Sequence, residues 1–100
     1  MKWLMAKGLV LTNDCVYSQV EGNIISDMDG EKVMFSIANG KYYNLGEVGG
    51  AIWDLLQEPN SVKGMVSQLQ EEYEVDEKTC EMQVMEFIGM LHKEGLIKQN

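Results

Sequence analysis

One hundred residues with 45% apolar side chains are enough for one domain with its own core. Sixteen acidic residues stand against eight basic ones, all lysine with no arginine, for a net charge of −8. That balance argues against nucleic acid as a partner, since phosphate neutralisation needs a basic face and bidentate base contacts lean on arginine; a basic peptide or protein fits better.

In chain order, residues 1–14 show no clear period, although Leu9-Val10-Leu11 has the makings of a short strand. The apolar run that begins at Trp3 is cut by Lys7 and Gly8, which leaves it too short for a secretory signal, and no window approaches a membrane span. A cytoplasmic protein is the expectation, with residues 1–14 as a segment of unclear structure and residues 15–100 as the domain. Val16–Val20 alternates in the manner of a strand. Ile24–Met28 and Glu31–Phe35 flank Asp29-Gly30, and Val33–Ala38 and Lys41–Leu45 flank Asn39-Gly40. Asp-Gly and Asn-Gly are the favoured central pairs of type I′ hairpin turns, because both positions need φ > 0. Two hairpins in succession predict a three-stranded antiparallel meander with Asp27 opposite Lys32.

With two-residue loops at both turns, Ile24, Val33, Phe35, Ile37 and Tyr42 share one face, and Ile25, Met34, Tyr43 and Leu45 the other. The first set is the more apolar and is expected to meet the helices. The last strand of the meander, Lys41–Leu45, is expected at the sheet edge with a row of unpaired backbone groups.

Three helices are predicted next. The first runs over about 45–57, capped by Asn44 with Glu47 three residues on, with Gly49-Gly50 allowing close packing against the sheet and Pro59 beyond its end. The second starts at a Ser61 cap and carries Val62, Met65, Val66 and Leu69 on one face. The third starts at an Asp76 cap, with Cys80, Val84, Phe87, Ile88 and Leu91 as its stripe and Met82 and Met85 beside it, and stops at Gly95. The fold class is α+β, winged-helix-like: a three-stranded antiparallel sheet followed by three helices. Glu71, Glu72, Glu74, Asp76, Glu77, Glu81 and Glu86 form either a solvated acidic face or a docking surface for lysines.

No catalytic constellation emerges, so a non-enzyme is expected. His92 has no partner at ligand spacing, Cys80 lies among acids that would raise its pKa, and Cys15 and Cys80 form no C-x-x-C pair. Neither a phosphate loop nor an EF-hand spacing is present, so no cofactor and no metal are expected.

The run Met34-Phe35-Ser36-Ile37, then Gly40-Lys41-Tyr42-Tyr43-Asn44-Leu45-Gly46-Glu47-Val48-Gly49-Gly50-Ala51-Ile52-Trp53, resembles the core of the PqqD-like family, the leader-peptide-recognition elements of ribosomal peptide modification (RiPP) systems. Glu72-Tyr73-Glu74-Val75 and Gly95-Leu96-Ile97 extend the likeness over roughly Gly22 to Lys98. A separate chain with Ser26-Asp27-Met28-Asp29-Gly30-Glu31 before the core looks most like the discrete recognition protein of split lasso-peptide processing systems. The resemblance implies binding of a precursor's leader as an added strand on Lys41–Leu45, beside the last helix. The implied contact residues are Lys41, Tyr42, Tyr43, Asn44 and Leu45 from the strand, with Met82, Met85, Glu86 and Phe87 from the helix. The implied partners are a separate transglutaminase-like cysteine protease and a cyclase, with neither nucleic acid nor membrane. A winged-helix DNA-binding regulator and a small dimerisation subunit are the alternatives. Which of Tyr42 and Tyr43 meets the peptide stays open at this point.

Overall fold

The computed structural model describes residues 15–100, so the expectation of a strand at Leu9–Leu11 lies outside the described residues. The elements are β1 (Val16–Gln19), β2 (Asn23–Met28), β3 (Glu31–Ser36), β4 (Lys41–Leu45), α1 (Gly46–Leu55), β5 (Asn60–Ser61), α2 (Val62–Glu72), α3 (Glu77–Lys93) and β6 (Ile97–Gln99). One antiparallel sheet has the order β2-β3-β4 and carries the expected meander. The β2–β3 turn is the tight one: Asp29 and Gly30 sit at φ 56° and 84°, and Asp27 pairs with Lys32 in register, their charges 3.8 Å apart.

The second hairpin departs from expectation. Ser36 pairs with Lys41, so Ile37–Gly40 forms a four-residue loop and β3 stops short of Ala38. Ser36 explains the shift. Its hydroxyl accepts the Asn39 N–H at 3.1 Å and its carbonyl accepts the Gly40 N–H at 2.8 Å. These local bonds satisfy the loop with only Gly40, and not Asn39, at positive φ. The register moves by two residues, and an even shift leaves every strand side chain on its original face.

Which face meets the helices is the larger correction. Met34, Ser36 and Leu45 are buried and Tyr43 is half-buried, whereas Ile24, Ile37 and Tyr42 are exposed. The inner face reads as polar in sequence because it contains Lys32 and Ser36. Lys32, however, lays its methylenes against Gly50 of α1, where an added Cβ would stand 3.0 Å from Lys32 Cγ, and carries its ammonium out to Asp27 and to Asp54, 3.6 Å away. The Ser36 hydroxyl is taken up by the loop. With both polar groups satisfied, Met34 is free to sit at the centre of the packed face.

β1 is the middle of a second sheet, β5-β1-β6, that the sequence reading did not contain. Its flanking strands are two and three residues long, below the length at which alternation is readable. Gly95 ends α3 at φ 76° in a Schellman motif: the Leu96 N–H bonds the Leu91 carbonyl and the Gly95 N–H bonds the His92 carbonyl. That turn sends Ile97 into β6 and the core.

Ser61 and Asp76 cap α2 and α3 as expected, accepting from the Gly64 and Thr79 N–H groups. At α1 the cap is Leu45, with no side-chain bond to the helix, and Asn44 instead accepts the Gly46 N–H at 3.0 Å. The core between sheets and helices holds Tyr17, Met34, Ile52, Trp53, Leu56, Met65, Leu69, Val84, Ile88, Leu91 and Leu96.

Candidate functional site

β4 follows the hairpin loop directly and runs without a break into α1, so it ends the β2-β3-β4 sheet. Among the described residues, no strand pairs with its other edge. Strand alternation splits its side chains between two sides. Tyr42, 76% exposed, points away from the helices and leans on Phe35 with ring centroids 4.7 Å apart. Lys41, Tyr43 and Leu45 point to the helix side.

Both ends of β4 are tied to α3 from that side. At the loop end, Tyr43 donates its hydroxyl to Glu94 Oε1 at 2.7 Å, and Lys41 Nζ lies 3.7 Å from the same oxygen. Asn39 Nδ2 donates to the Glu94 carbonyl at 2.8 Å and to the Tyr43 hydroxyl at 3.0 Å. The Tyr43 hydroxyl, and after it the Lys41 charge, hold the Glu94 carboxyl below the usual carboxylate range. At the α1 end, Gly49 brings the chain against Phe87: an added Cβ would meet the Phe87 ring at 3.0 Å and Leu45 Cβ at 3.4 Å. Val48, one turn into α1, lines a small apolar pocket of about 80 Å³ with Ile52, Leu69, Tyr73, Val75, Cys80, Gln83 and Val84.

The residues expected at this site are therefore only partly brought together. Lys41 and Tyr43 meet Glu94 at the end of α3, and Leu45 lies beside Gly49, which abuts Phe87; Asn44 is exposed at the strand end and Tyr42 faces the opposite side of the sheet. On α3, at about 100° per residue, Glu86 sits about 100° and Met82 about 140° round from Phe87; both are exposed. Met85 lies about 60° round the helix from Met82. It falls about 160° from Phe87, on the same flank as His92, whose ring meets Tyr17 edge-on at 6.2 Å.

Sequence reasoning missed Glu94 and Asn39. Glu94 stands just before the Gly95 stop and 51 residues from Tyr43, and no local pattern signals their pairing.

Chemically, this seam offers hydrogen-bonding backbone beside an apolar wall, and no nucleophile. The Cys80 thiol is pushed up by burial and by Asp76. Among the described residues, no group of three or more His, Cys, Asp or Glu side chains is placed to hold a metal ion, and no helix is long and apolar enough to cross a membrane. The acidic residues from Glu71 to Glu77 are exposed along the end of α2 and the start of α3.

The family described as coenzyme PQQ synthesis protein D (PqqD) matches residues 31–97. Among solved structures, the chain is similar to TbiB1 in complex with the TbiA(beta) leader peptide, at 28% identity and TM-score 0.72, over 81% of this chain and 94% of that one. It is also similar to the solution NMR structure of the PqqD truncation of Methylobacterium extorquens PqqCD, described as a functional, stand-alone RiPP recognition element. That match has TM-score 0.75 over 89% of this chain and 95% of that one; its 14% identity shows likeness of fold alone. No curated protein matches.

Proposed function

This chain belongs to the PqqD family, and on that premise we propose that it is a non-catalytic recognition element that captures the leader region of a ribosomally made precursor peptide. The leader adds as a strand to the open edge of β4. Main-chain hydrogen bonds to Lys41–Leu45 supply affinity, and side chains along Phe87 and the α3 shoulder, with Glu86 and Met82, supply register. The observation that carries this reading is the β4 edge, unpaired among the described residues, on the sheet that α3 flanks through Glu94, in a chain whose 28%-identical structural relative is a protein in complex with a leader peptide. The net charge of −8 favours a leader rich in lysine.

The finer reading is that this is the recognition half of a split lasso-peptide system. It hands the bound precursor to a separate transglutaminase-like cysteine protease and a cyclase. Its support is the Ser26–Glu31 stretch ahead of the Met34–Ile37 run.

The test is a titration of the full chain with the synthetic leader of the precursor encoded beside it. Binding with a micromolar or tighter Kd, and protection of the Lys41–Leu45 amides on binding, are the expected results. An absence of binding up to millimolar peptide overturns the proposal.

A further inference from the structure

The cluster around Glu94 joins elements that are remote in sequence and lie outside the apolar core. Glu94 is the C-cap of α3; Asn39 belongs to the β3–β4 loop, and Lys41 and Tyr43 to β4. Four contacts converge there. The Tyr43 hydroxyl donates to the Glu94 carboxylate at 2.7 Å, Lys41 Nζ lies 3.7 Å from it, and the Asn39 amide donates to the Glu94 carbonyl and to the Tyr43 hydroxyl. The Lys41 side chain is 62% exposed and that of Glu94 26% exposed. Exposed ion pairs of this kind add little to global stability. What they fix is the position of a strand that, among the described residues, has a neighbour on one side only.

The placement gives the cluster a specific consequence. β4 and α3 are the two walls of the proposed leader groove. At the α1 end, Gly49 stands between the two, close to Leu45 on one side and to the Phe87 ring on the other. At the loop end the Tyr43–Glu94 bond joins the strand to the helix. An edge strand held at one end alone frays at the other, and a fraying edge must be ordered when a peptide pairs with it, which lowers affinity.

We infer that Tyr43 and Glu94 form a latch across the mouth of the groove, and that they act as positioning residues on which capture of a leader strand by β4 depends. The inference rests on the leader-binding reading. It also assigns the two tyrosines: Tyr43 is committed to the latch and Tyr42 to the far face, so the peptide meets β4 chiefly through its backbone.

The latch is charge-assisted and therefore sensitive to pH. The groups acting on the Glu94 carboxylate are Tyr43 and Lys41 from β4 and Lys93 on its own helix, with Asn39 bonded to the Glu94 carbonyl and His92 two residues before it in the last turn. Because folding holds this carboxyl below its ordinary range, the latch is at full strength above the ordinary carboxylate pKa and is lost as pH falls through the lowered one.

The experiment measures binding of a fluorescein-labelled synthetic leader, from the precursor encoded beside this chain, to the full-length chain and to Tyr43→Phe, Glu94→Gln, Glu94→Ala and the Tyr43→Phe/Glu94→Ala double variant. Hydrogen exchange of the Lys41–Leu45 amides is followed in the free proteins. Tyr43→Phe and Glu94→Ala each weaken binding about three- to tenfold, the loss of one charge-assisted bond. The double variant is no weaker than the worse single one, because the pair acts as a unit. β4 exchange quickens in all the variants. Wild-type affinity falls more steeply than that of Glu94→Gln as pH drops through and below the ordinary carboxylate range. A merely structural role would leave the variants with wild-type pH dependence. The conservative Phe and Gln replacements keep the side-chain volume, so a misfolded Glu94→Ala does not end the test. Wild-type affinity, exchange and pH dependence in Tyr43→Phe and Glu94→Gln overturn the latch and leave the leader reading standing. Failure of the wild-type chain to bind removes the leader reading, and the inference with it.

Discussion

Gly49 of α1 stands so close to Phe87 of α3 that a single added methyl group would sit 3.0 Å from two carbons of the ring. Such a distance is shorter than van der Waals contact, so Gly49→Ala must move the ring or the helix. Alanine gains about 1 kcal/mol in helix propensity over glycine, and overpacking of this kind costs about 1–3 kcal/mol. The net expectation is a destabilisation of about 1 kcal/mol in urea unfolding, together with weaker leader binding, because Leu45 is the next neighbour of the added group. A more stable Gly49→Ala chain with wild-type binding would show that the ring yields freely.

Phe87 and Met85 are two positions apart on α3 yet face different flanks. Phe87→Ala should cost about 2 kcal/mol of stability, less than for a fully buried ring since Phe87 is half-buried, and should weaken leader binding about tenfold. Met85→Glu should leave leader binding within about twofold of wild type, as expected for a residue outside the groove. Isothermal titration of both variants checks the assignment, and a larger binding loss in Met85→Glu than in Phe87→Ala would reverse it.

Tyr42 is the most exposed of the large apolar residues on the sheet and touches Phe35 on the face away from α3. Tyr42→Ala should lower stability by about 0.5–1 kcal/mol through the lost ring pair, and leave leader affinity nearly unchanged. Anisotropy titration next to Tyr43→Phe makes the comparison. A stronger loss in Tyr42→Ala would place the peptide on the outer face.

Tyr17 is fully buried, and burial, with Cys15 adding to it, pushes its phenol up to about 12. A folded-state pKa above that of the unfolded chain means that the neutral phenol favours folding. This contribution is fully present below about pH 10, the ordinary tyrosine value, and is lost as pH rises through about 12. Urea midpoints measured from pH 8 to 12 should fall more steeply in the wild-type chain than in Tyr17→Phe. Parallel slopes would mean that Tyr17 does not titrate with unfolding.

Much of the architecture was legible because its signals are local. Asp29-Gly30 fixed a tight turn, Ser61 and Asp76 fixed two helix starts, and Gly95 fixed the end of α3. The position of β4 at the sheet edge followed from its place between a hairpin and a helix. The features that escaped are those decided by distant partners. Counting apolar residues favoured the Ile24, Phe35 and Tyr42 face, but Lys32 is accommodated inside by Gly50 and Asp54, residues of another element. Asn39-Gly40 looked like a two-residue turn until Ser36 supplied competing bonds. Glu94 looked like one more surface acid, since nothing near it in sequence announces Tyr43.

The central strand of the smaller sheet also orders events in time. β1 is among the first segments of the domain to leave the ribosome, yet one of its two neighbours is β6, and the bond between Ser18 and Asn100 spans 82 residues. The β2-β3-β4 meander and the helix pair can form from contacts close in sequence while synthesis continues. Tyr17 finds its enclosure only after Ile97–Gln99 have emerged. Nascent chains held with those residues still in the exit tunnel would therefore carry an assembled wing and an unfinished base. Force-sensing arrest measurements would see two separate folding events, the second within the last few codons of the domain.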